Sequence, residues 1–159
     1  MREIPLTQGK VALVDDDDYE RVNQWKWLCS RWHEKFYAAR QSWNNGKPIW
    51  IRMHRFILSV KSPDQVDHID NDGLNNQKAN LRICSQSENL WNRRAPRSNK
   101  SGFKGVHWHH KEQRYRSVIH VGRRCIYLGK YKDAKEAARA YNTAALKYHG
   151  AFAKLNEGV

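Results

Sequence analysis

The 159-residue sequence lacks the features that mark secreted, membrane-bound or disulfide-stapled chains. Its three cysteines, Cys29, Cys84 and Cys125, are odd in number and far apart, which excludes a disulfide framework and a Cys-x-x-Cys zinc ribbon. No apolar run approaches the roughly 20 residues that span a bilayer, so no membrane partner is expected. The start, Met1 to Gly9, has neither the apolar stretch nor the small-residue cleavage site of a signal peptide. Acid is scarce as well: 16 Asp and Glu face 29 Lys and Arg, a formal net charge of +13. With 40% apolar and 11% aromatic residues the chain can still bury a core, which excludes wholesale disorder. The composition describes a reduced, soluble, strongly basic protein whose partner is a polyanion.

The charge is uneven. Residues 1–60 carry a net +3, residues 61–100 a net +2 and residues 101–159 a net +8. A polar, basic stretch from Arg93 to Gly102 holds Pro96 and no periodic apolar face, and it reads as a linker. The expected organisation is a small N-terminal β-rich region at 1–53, a second module at 54–94, a linker at 95–101 and a third module at 102–159.

In the first region, Asp15 to Asp18 followed by Tyr19, Val22 and Trp25 predicts a short helix with acids at its positive end. A metal site is the alternative for four adjacent carboxylates; a solvated helix start is the plainer reading. Leu28–Tyr37 and Ala38–Trp43 alternate imperfectly, and Asn44-Asn45-Gly46 supplies a hairpin turn before Pro48–Met53. Trp25, Trp27, Trp32, Trp43 and Trp50 all lie here. They are expected to form the core of a small sheet, with stacking on bases as the alternative.

In the second module, Val66–Asp70 predicts a strand and Asn71–Asn76 a polar turn. Asn80–Ile83 predicts a second strand, and the capping box Ser85-Gln86-Ser87-Glu88 opens a helix. On that helix Asn89, Asn92 and Arg93 share a face. An imidazole can take a proton from water near neutral pH. A carboxylate and an amide oxygen suit a divalent cation that keeps most of its waters, and such an ion can stabilise a leaving oxygen in phosphodiester hydrolysis. By residue type alone, His68 can equally be a hydrogen-bonded turn residue and the asparagines mere turn formers.

Asp67-His68, Asn75-Asn76, Asn80-Leu81-Arg82 and Glu88-Asn89-x-x-Asn92 resemble the HNH nuclease motif, in the His-Asn-Asn form of phage and intron homing endonucleases. The resemblance covers about residues 54–94 and implies the ββα-metal fold. It implies His68 as the general base that activates water, Asp67 and Asn89 as metal ligands, and Asn80 as the residue that orients the histidine. Asn89 stands where the commonest pattern has a histidine. An amide is a poor zinc or nickel ligand, so magnesium is the expected cofactor and manganese a possible one. Asn92 is an alternative ligand one turn along. A His-Arg pair ahead of the motif recurs in these endonucleases. His54 reads as packing, and Arg55 as a phosphate contact or a plain surface charge. Arg82 and Arg93 are further expected DNA contacts, Arg82 by clamping a phosphate.

In the third module, Gly105–His110, Arg114–Val121 and Cys125–Gly129 predict three strands. Asp133-Ala-Lys-Glu136 caps an Ala-rich helix that runs to about Lys147 and stops at Gly150. Tyr115, Ser117, Ile119 and Val121 share one side of the middle strand. Arg114, Arg116, Val118 and His120 share the other, a basic face shaped for the DNA major groove. Gly102-Phe-Lys-Gly-Val, Tyr127-Leu-Gly-x-Tyr131, Ala134-x-Glu-Ala-Ala-x-Ala-Tyr141 and Ala151-Phe-Ala-Lys-Leu-Asn156 resemble the plant Apetala-two/ethylene-response-factor domain. By position that resemblance implies DNA contacts from Lys104, His107, His109, Arg114, Arg116, His120 and Tyr127. Plant domains carry arginines where His107, His109 and His120 stand, so their target sequence does not transfer. Arg123 and Arg124 are expected to reach a phosphate, and Arg94, Arg97 and Lys100 of the linker to follow the minor groove.

The expected fold class is α+β: a small β-rich region, a ββα-metal core, then a three-stranded antiparallel sheet on one helix. The expected function is metal-dependent hydrolysis of double-stranded DNA, by a monomer or DNA-induced dimer, in the cytoplasm of a phage-infected cell by resemblance. The rivals are a non-catalytic DNA-binding regulator with a relic nuclease module, and a single-strand RNA-binding protein whose exposed tryptophans stack on bases.

Overall fold

The computed structural model describes every residue except His33. Residues Met1–Gln86 and Ser87–Val159 form two units, each with its own packing.

In the first unit, β1 (Arg2–Pro5) and β2 (Val11–Val14) pair antiparallel and feed α1 (Asp16–Asn23). The three-stranded sheet β3 (Leu28–Trp32), β4 (Lys35–Asn44) and β5 (Lys47–Arg52) follows. Its β4–β5 turn is made by Asn45 at φ 47° and Gly46 at φ 73°, the pair of positive angles a tight hairpin needs. A short helix α2 (Met53–Ile57) packs back on β4 and β5, and the hairpin β6 (Gln65–His68) and β7 (Leu81–Cys84) closes the unit. One core joins Ile4, Val14, Val22, Trp27 and Ala38 to Met53, Ile57, Val66 and Leu81. The region expected at 1–53 and the module beginning at 54 therefore bury their apolar faces together. Each fully buried side chain of this size contributes about 1.5–3 kcal/mol, so neither part holds its share of the core alone.

The tryptophans correct an expectation. Only Trp27 of the five is buried, and it donates its indole N–H to Val22 O at 2.9 Å. Trp25, Trp32, Trp43 and Trp50 are 45%, 60%, 68% and 60% exposed. The buried positions of the sheet are small residues, Cys29 and Ala38 on one side and Ala39 on the other, and the exposed indoles lie beyond them.

The second unit holds the rest of α3 (Gln86–Trp91), the antiparallel sheet β8 (Val106–His109), β9 (Arg114–Val121) and β10 (Arg124–Tyr131), and α4 (Ala134–His149). Asp133 caps α4 by accepting from Lys135 N and Glu136 N at 3.0 and 3.1 Å, as the capping box predicts. Ala137, Ala138, Tyr141 and Ala145 lie against Val106, Ile119 and Tyr115. The alanines bring helix and sheet close together. This is the α+β arrangement expected from the sequence. Unit two thus begins inside α3, upstream of the 95–101 stretch. Among the described residues no helix is long and apolar enough to cross a membrane, and none of the three cysteines is in a disulfide.

Candidate functional site

In the β6–β7 hairpin, Asp67 faces Arg82 and His68 faces Leu81 across the antiparallel ladder. His68 ends its strand, and the loop that follows is tied internally. Asp70 accepts from Asp72 N at 2.8 Å, Asn75 Nδ2 at 2.8 Å and Asn80 Nδ2 at 2.9 Å. Asn80 also accepts from Asp70 N, donates to Asn75 O, and takes Ile69 N on its own carbonyl. Asn80 holds the backbone that follows His68, and its bonds go to the loop. Burial pushes the Asp70 carboxyl up, but the Asp72 amide and the two asparagine amides outweigh it and the pKa is lowered.

The first 53 residues brace this loop. Leu13 on β2 bonds Leu74 O and Asn76 N at 2.9 and 2.8 Å. Asp15 accepts from Lys78 N at 2.7 Å and Gln77 Nε2 at 3.1 Å. Asp18 is buried and pairs with Arg21 and Lys78, each at 2.8 Å. The acidic run does more than start a helix. Two of its four members clamp the loop that follows His68.

Around His68 the structure gathers residues from three elements. His54 on α2 lies edge-on to it at 4.9 Å between ring centroids, and Tyr37 on β4 touches both rings at 6.0 and 5.9 Å. Gly73 makes room for Tyr37, since a Cβ there would stand 2.5 Å from the tyrosine ring. Both histidines are buried. Desolvation lowers the His68 pKa, and the Asn76 side chain, Asp70 and Asp67 oppose that without reversing it. Desolvation, then the charge of His68, lowers His54 still further. At neutral pH both rings are uncharged, which leaves His68 in the form that accepts a proton. Tyr37 carries no sequence signal for this place. Asn76 was visible in the motif, and His54 in the His-Arg pair.

Asp67 is buried, and its Oδ2 accepts from Arg82 Nε at 2.9 Å and Nη2 at 2.7 Å. Arg82, expected to clamp a phosphate, is spent on aiming this carboxylate. Breaking such a buried pair costs about 3–5 kcal/mol. Arg55 donates to Asp64 O at 2.8 Å. Asn89 sits on α3 in the second unit, with Asn92 buried just beyond it and Arg93 exposed. Among the described residues no three His, Cys, Asp or Glu side chains cluster. A zinc cage of four protein ligands finds no donors in that set, whereas a hydrated magnesium needs one or two hard oxygens, and Asp67 is such a donor.

In the second unit the register sets His107 opposite Arg116, His109 opposite Arg114, and Tyr127 opposite Val118, with His120 two residues on along β9. These side chains share the face turned away from α4, as the alternation predicts. Arg123 and Arg124 are exposed at the β9–β10 turn. Glu112 stands among the bases, bonding Arg116 at 3.1 Å and Lys130 at 3.1 Å. Lys104 departs from expectation. Its ammonium donates to the carbonyls of Trp91 and Arg93 at the end of α3, and burial lowers its pKa to about 8. It ties α3 down instead of facing outward. Trp91 also stacks on His149 at 4.4 Å, and His149 bonds His120 O at 2.9 Å.

No family model matches the chain. Among curated proteins it is similar to an uncharacterized HNH endonuclease of Acanthamoeba polyphaga mimivirus, 28% identical over 156 residues, 94% of this chain and 76% of that protein. It is 32% identical to protein 3.8 of Escherichia phage T7 over 91 residues, 57% of this chain and 74% of that protein. It is 41% identical over 64 residues, 40% of this chain, to APETALA2-like protein 2 of rice, of which it spans only 15%.

Proposed function

We propose that this chain, which belongs to the family of protein 3.8 of phage T7, is a metal-dependent endonuclease of double-stranded DNA whose site preference comes from the β8–β10 face. The observation that carries this reading is His68 itself. It is buried, uncharged at neutral pH, and fixed beside Asp67 on a hairpin whose loop is clamped by Asp70 and Asn80. His68 takes a proton from the attacking water, and Asn80 and Asn76 keep the ring at its post. Arg82 fixes the rotamer of Asp67. A divalent cation held by Asp67 and, on the motif's resemblance, by Asn89 would supply charge stabilisation for the leaving 3′ oxygen. Magnesium fits these hard donors, and manganese would substitute. The products are 5′-phosphate and 3′-hydroxyl ends.

The basic face supplies register. Arg114, Arg116, His107, His109, His120 and Tyr127 present donors and a ring at the spacing of adjacent strands, and Arg123, Arg124, Arg93 and Arg55 are the proposed phosphate contacts. The salt dependence of binding should be steep. Glu112 holds two of the face's cations, so Glu112→Gln is expected to tighten duplex binding about threefold at low salt. The log–log salt slope should steepen by about 0.9 for each further phosphate that the released cations neutralise. Anisotropy titrations at several salt concentrations check both numbers, and an unchanged slope would remove Arg116 and Lys130 from the interface.

The nuclease reading is tested on supercoiled plasmid carrying the neighbouring genomic locus. Magnesium should convert it to open-circle or linear form and EDTA should stop the conversion. Open circle means a nick by one active site; linear product means sequential nicks or a DNA-induced dimer. The Arg82–Asp67 pair favours a second reading, a DNA-binding regulator, because it occupies the expected metal carboxylate. Duplex binding with no cleavage in magnesium or manganese would establish it.

A further inference from the structure

We propose that the outer face of the β3–β4–β5 sheet is a stacking platform for a single DNA strand, holding unpaired bases on Trp43, Trp50 and Trp32 on the same side of the sheet as Tyr37, whose ring touches the His54–His68 pair.

The register places these residues together. Trp32 pairs with Lys35, Ser30 with Tyr37, Ala39 with Arg52, Gln41 with Trp50 and Trp43 with Pro48. All ten lie on one side, while Cys29, Ala38 and Arg40 point to the other. Trp43 and Trp50 are diagonal neighbours, 68% and 60% exposed, and Trp32 is 60% exposed at the far edge. Three indoles presented on one sheet are hard to explain by folding, which gains nothing from leaving them in water.

Among the described residues of the three strands no carboxylate lies on this side, and its chemistry suits a nucleic acid. Its cations are Lys35 and Arg52, whereas Arg31, Arg40 and Lys47 belong to the other side by register. Arg52 lies 5.7 Å from the Trp32 ring and 5.6 Å from the Tyr37 ring, a cation set between aromatic surfaces. Aromatic rings alternating with cations on an exposed sheet are how proteins hold single strands: bases stack on the rings and phosphates meet the charges. A duplex offers no base faces to such a surface. From Trp43 to Tyr37 the face runs about 20 Å along β4, and Tyr37 is the residue in ring contact with His68.

The choice of DNA as the strand rests on the nuclease reading, since the platform is continuous with that site. Stacking itself does not depend on cleavage, so binding is measured in EDTA on the full chain. The probes are a labelled 20-nucleotide oligo-dT, an oligo-U of equal length and a 20-base-pair duplex. Trp43→Ala/Trp50→Ala should weaken oligo-dT binding about 25-fold or more, since each base–aromatic stack is worth at least about fivefold. Duplex binding should stay within about twofold, because the basic face of the second unit is untouched. Trp43→Phe/Trp50→Phe keeps two rings and should recover most of the oligo-dT affinity, which separates stacking from damage to the fold. A loss below tenfold, an equal loss on duplex, or no recovery with phenylalanine overturns the platform. Oligo-U bound as tightly as oligo-dT overturns the assignment to DNA. A chain that stacks oligo-dT yet cuts nothing would keep the platform and sink only the nuclease.

Discussion

Replacing His68 by alanine is expected to lower plasmid cleavage in magnesium about a hundred- to ten-thousand-fold, the range that a general base contributes. Duplex affinity should change less than about twofold, because an uncharged, buried His68 is not among the groups proposed to hold DNA. His68 is buried, so the thermal transition of the variant has to be recorded beside its activity. His68→Gln fills the space without a titrating nitrogen and should be equally inactive. The pH profile supplies an independent check. Burial holds the His68 pKa below 6.5, so wild-type cleavage should persist through pH 6.5 and fall only as acid protonates the ring below it. Were the rate instead to fall through pH 7 and above, a group other than His68 would be the base. Full activity of either variant would remove His68 as the base and leave the cleavage to another group.

The second large effect is one of stability. Gly105 has φ +74°, and a Cβ there would lie 2.1 Å from Tyr141 Cδ2 and 2.6 Å from Val118 O. Tyr141 is packed in the core of the second unit, and Val118 N is already bonded to Gly105 O at 2.8 Å. Neither neighbour can yield without moving the helix or the middle strand. Gly105→Ala therefore adds left-handed strain of about 1–2 kcal/mol to overpacking of about 1–3 kcal/mol. The transition of the second unit should drop by more than about 10 °C, and duplex binding should fall with it on warming. Gly102→Ala is the control. Its φ is +75° but nothing stands within 4 Å of the new Cβ, so only the strain of about 1–2 kcal/mol remains. Equal melting of the two variants would mean that Tyr141 gives way.

Much of the second unit was legible because its signals are local. The alternation over Arg114–Val121 matches β9 at both ends, and the Asp133 capping box starts α4 where it should. The β6–β7 hairpin was legible through spacing, since turn asparagines between two short apolar strands leave few alternatives. What failed to show was anything set by distant packing. Lys104 reads as one more cation in a basic stretch, yet two carbonyls at the end of α3 draw its ammonium inward. Arg82 reads as a phosphate clamp because nothing in the sequence reveals that strand register sets it opposite Asp67. Asp15 reads as a helix start, while the partner that uses its carboxylate is 63 residues away at Lys78. The tryptophans misled for the opposite reason: aromatic content predicts burial only where another element covers the sheet, and Trp32, Trp43 and Trp50 lie beyond that cover.

The core that runs from Ile4 through Ala38 to Leu81 also bears on how such a protein is assembled over evolutionary time. A nuclease motif of some forty residues looks like a cassette that could be moved between genes by itself. Here the motif owns only a few of the side chains that bury it, and the rest come from strands and a helix that carry none of its signature. Recombination that moved residues 54–94 alone would deliver the proposed catalytic residues without the wall they lean on. The side chains that share this core lie within Met1–Gln86, and the proposed ligand Asn89 follows on α3 (Gln86–Trp91), so exchange of DNA-reading modules would be tolerated only at breakpoints beyond that helix.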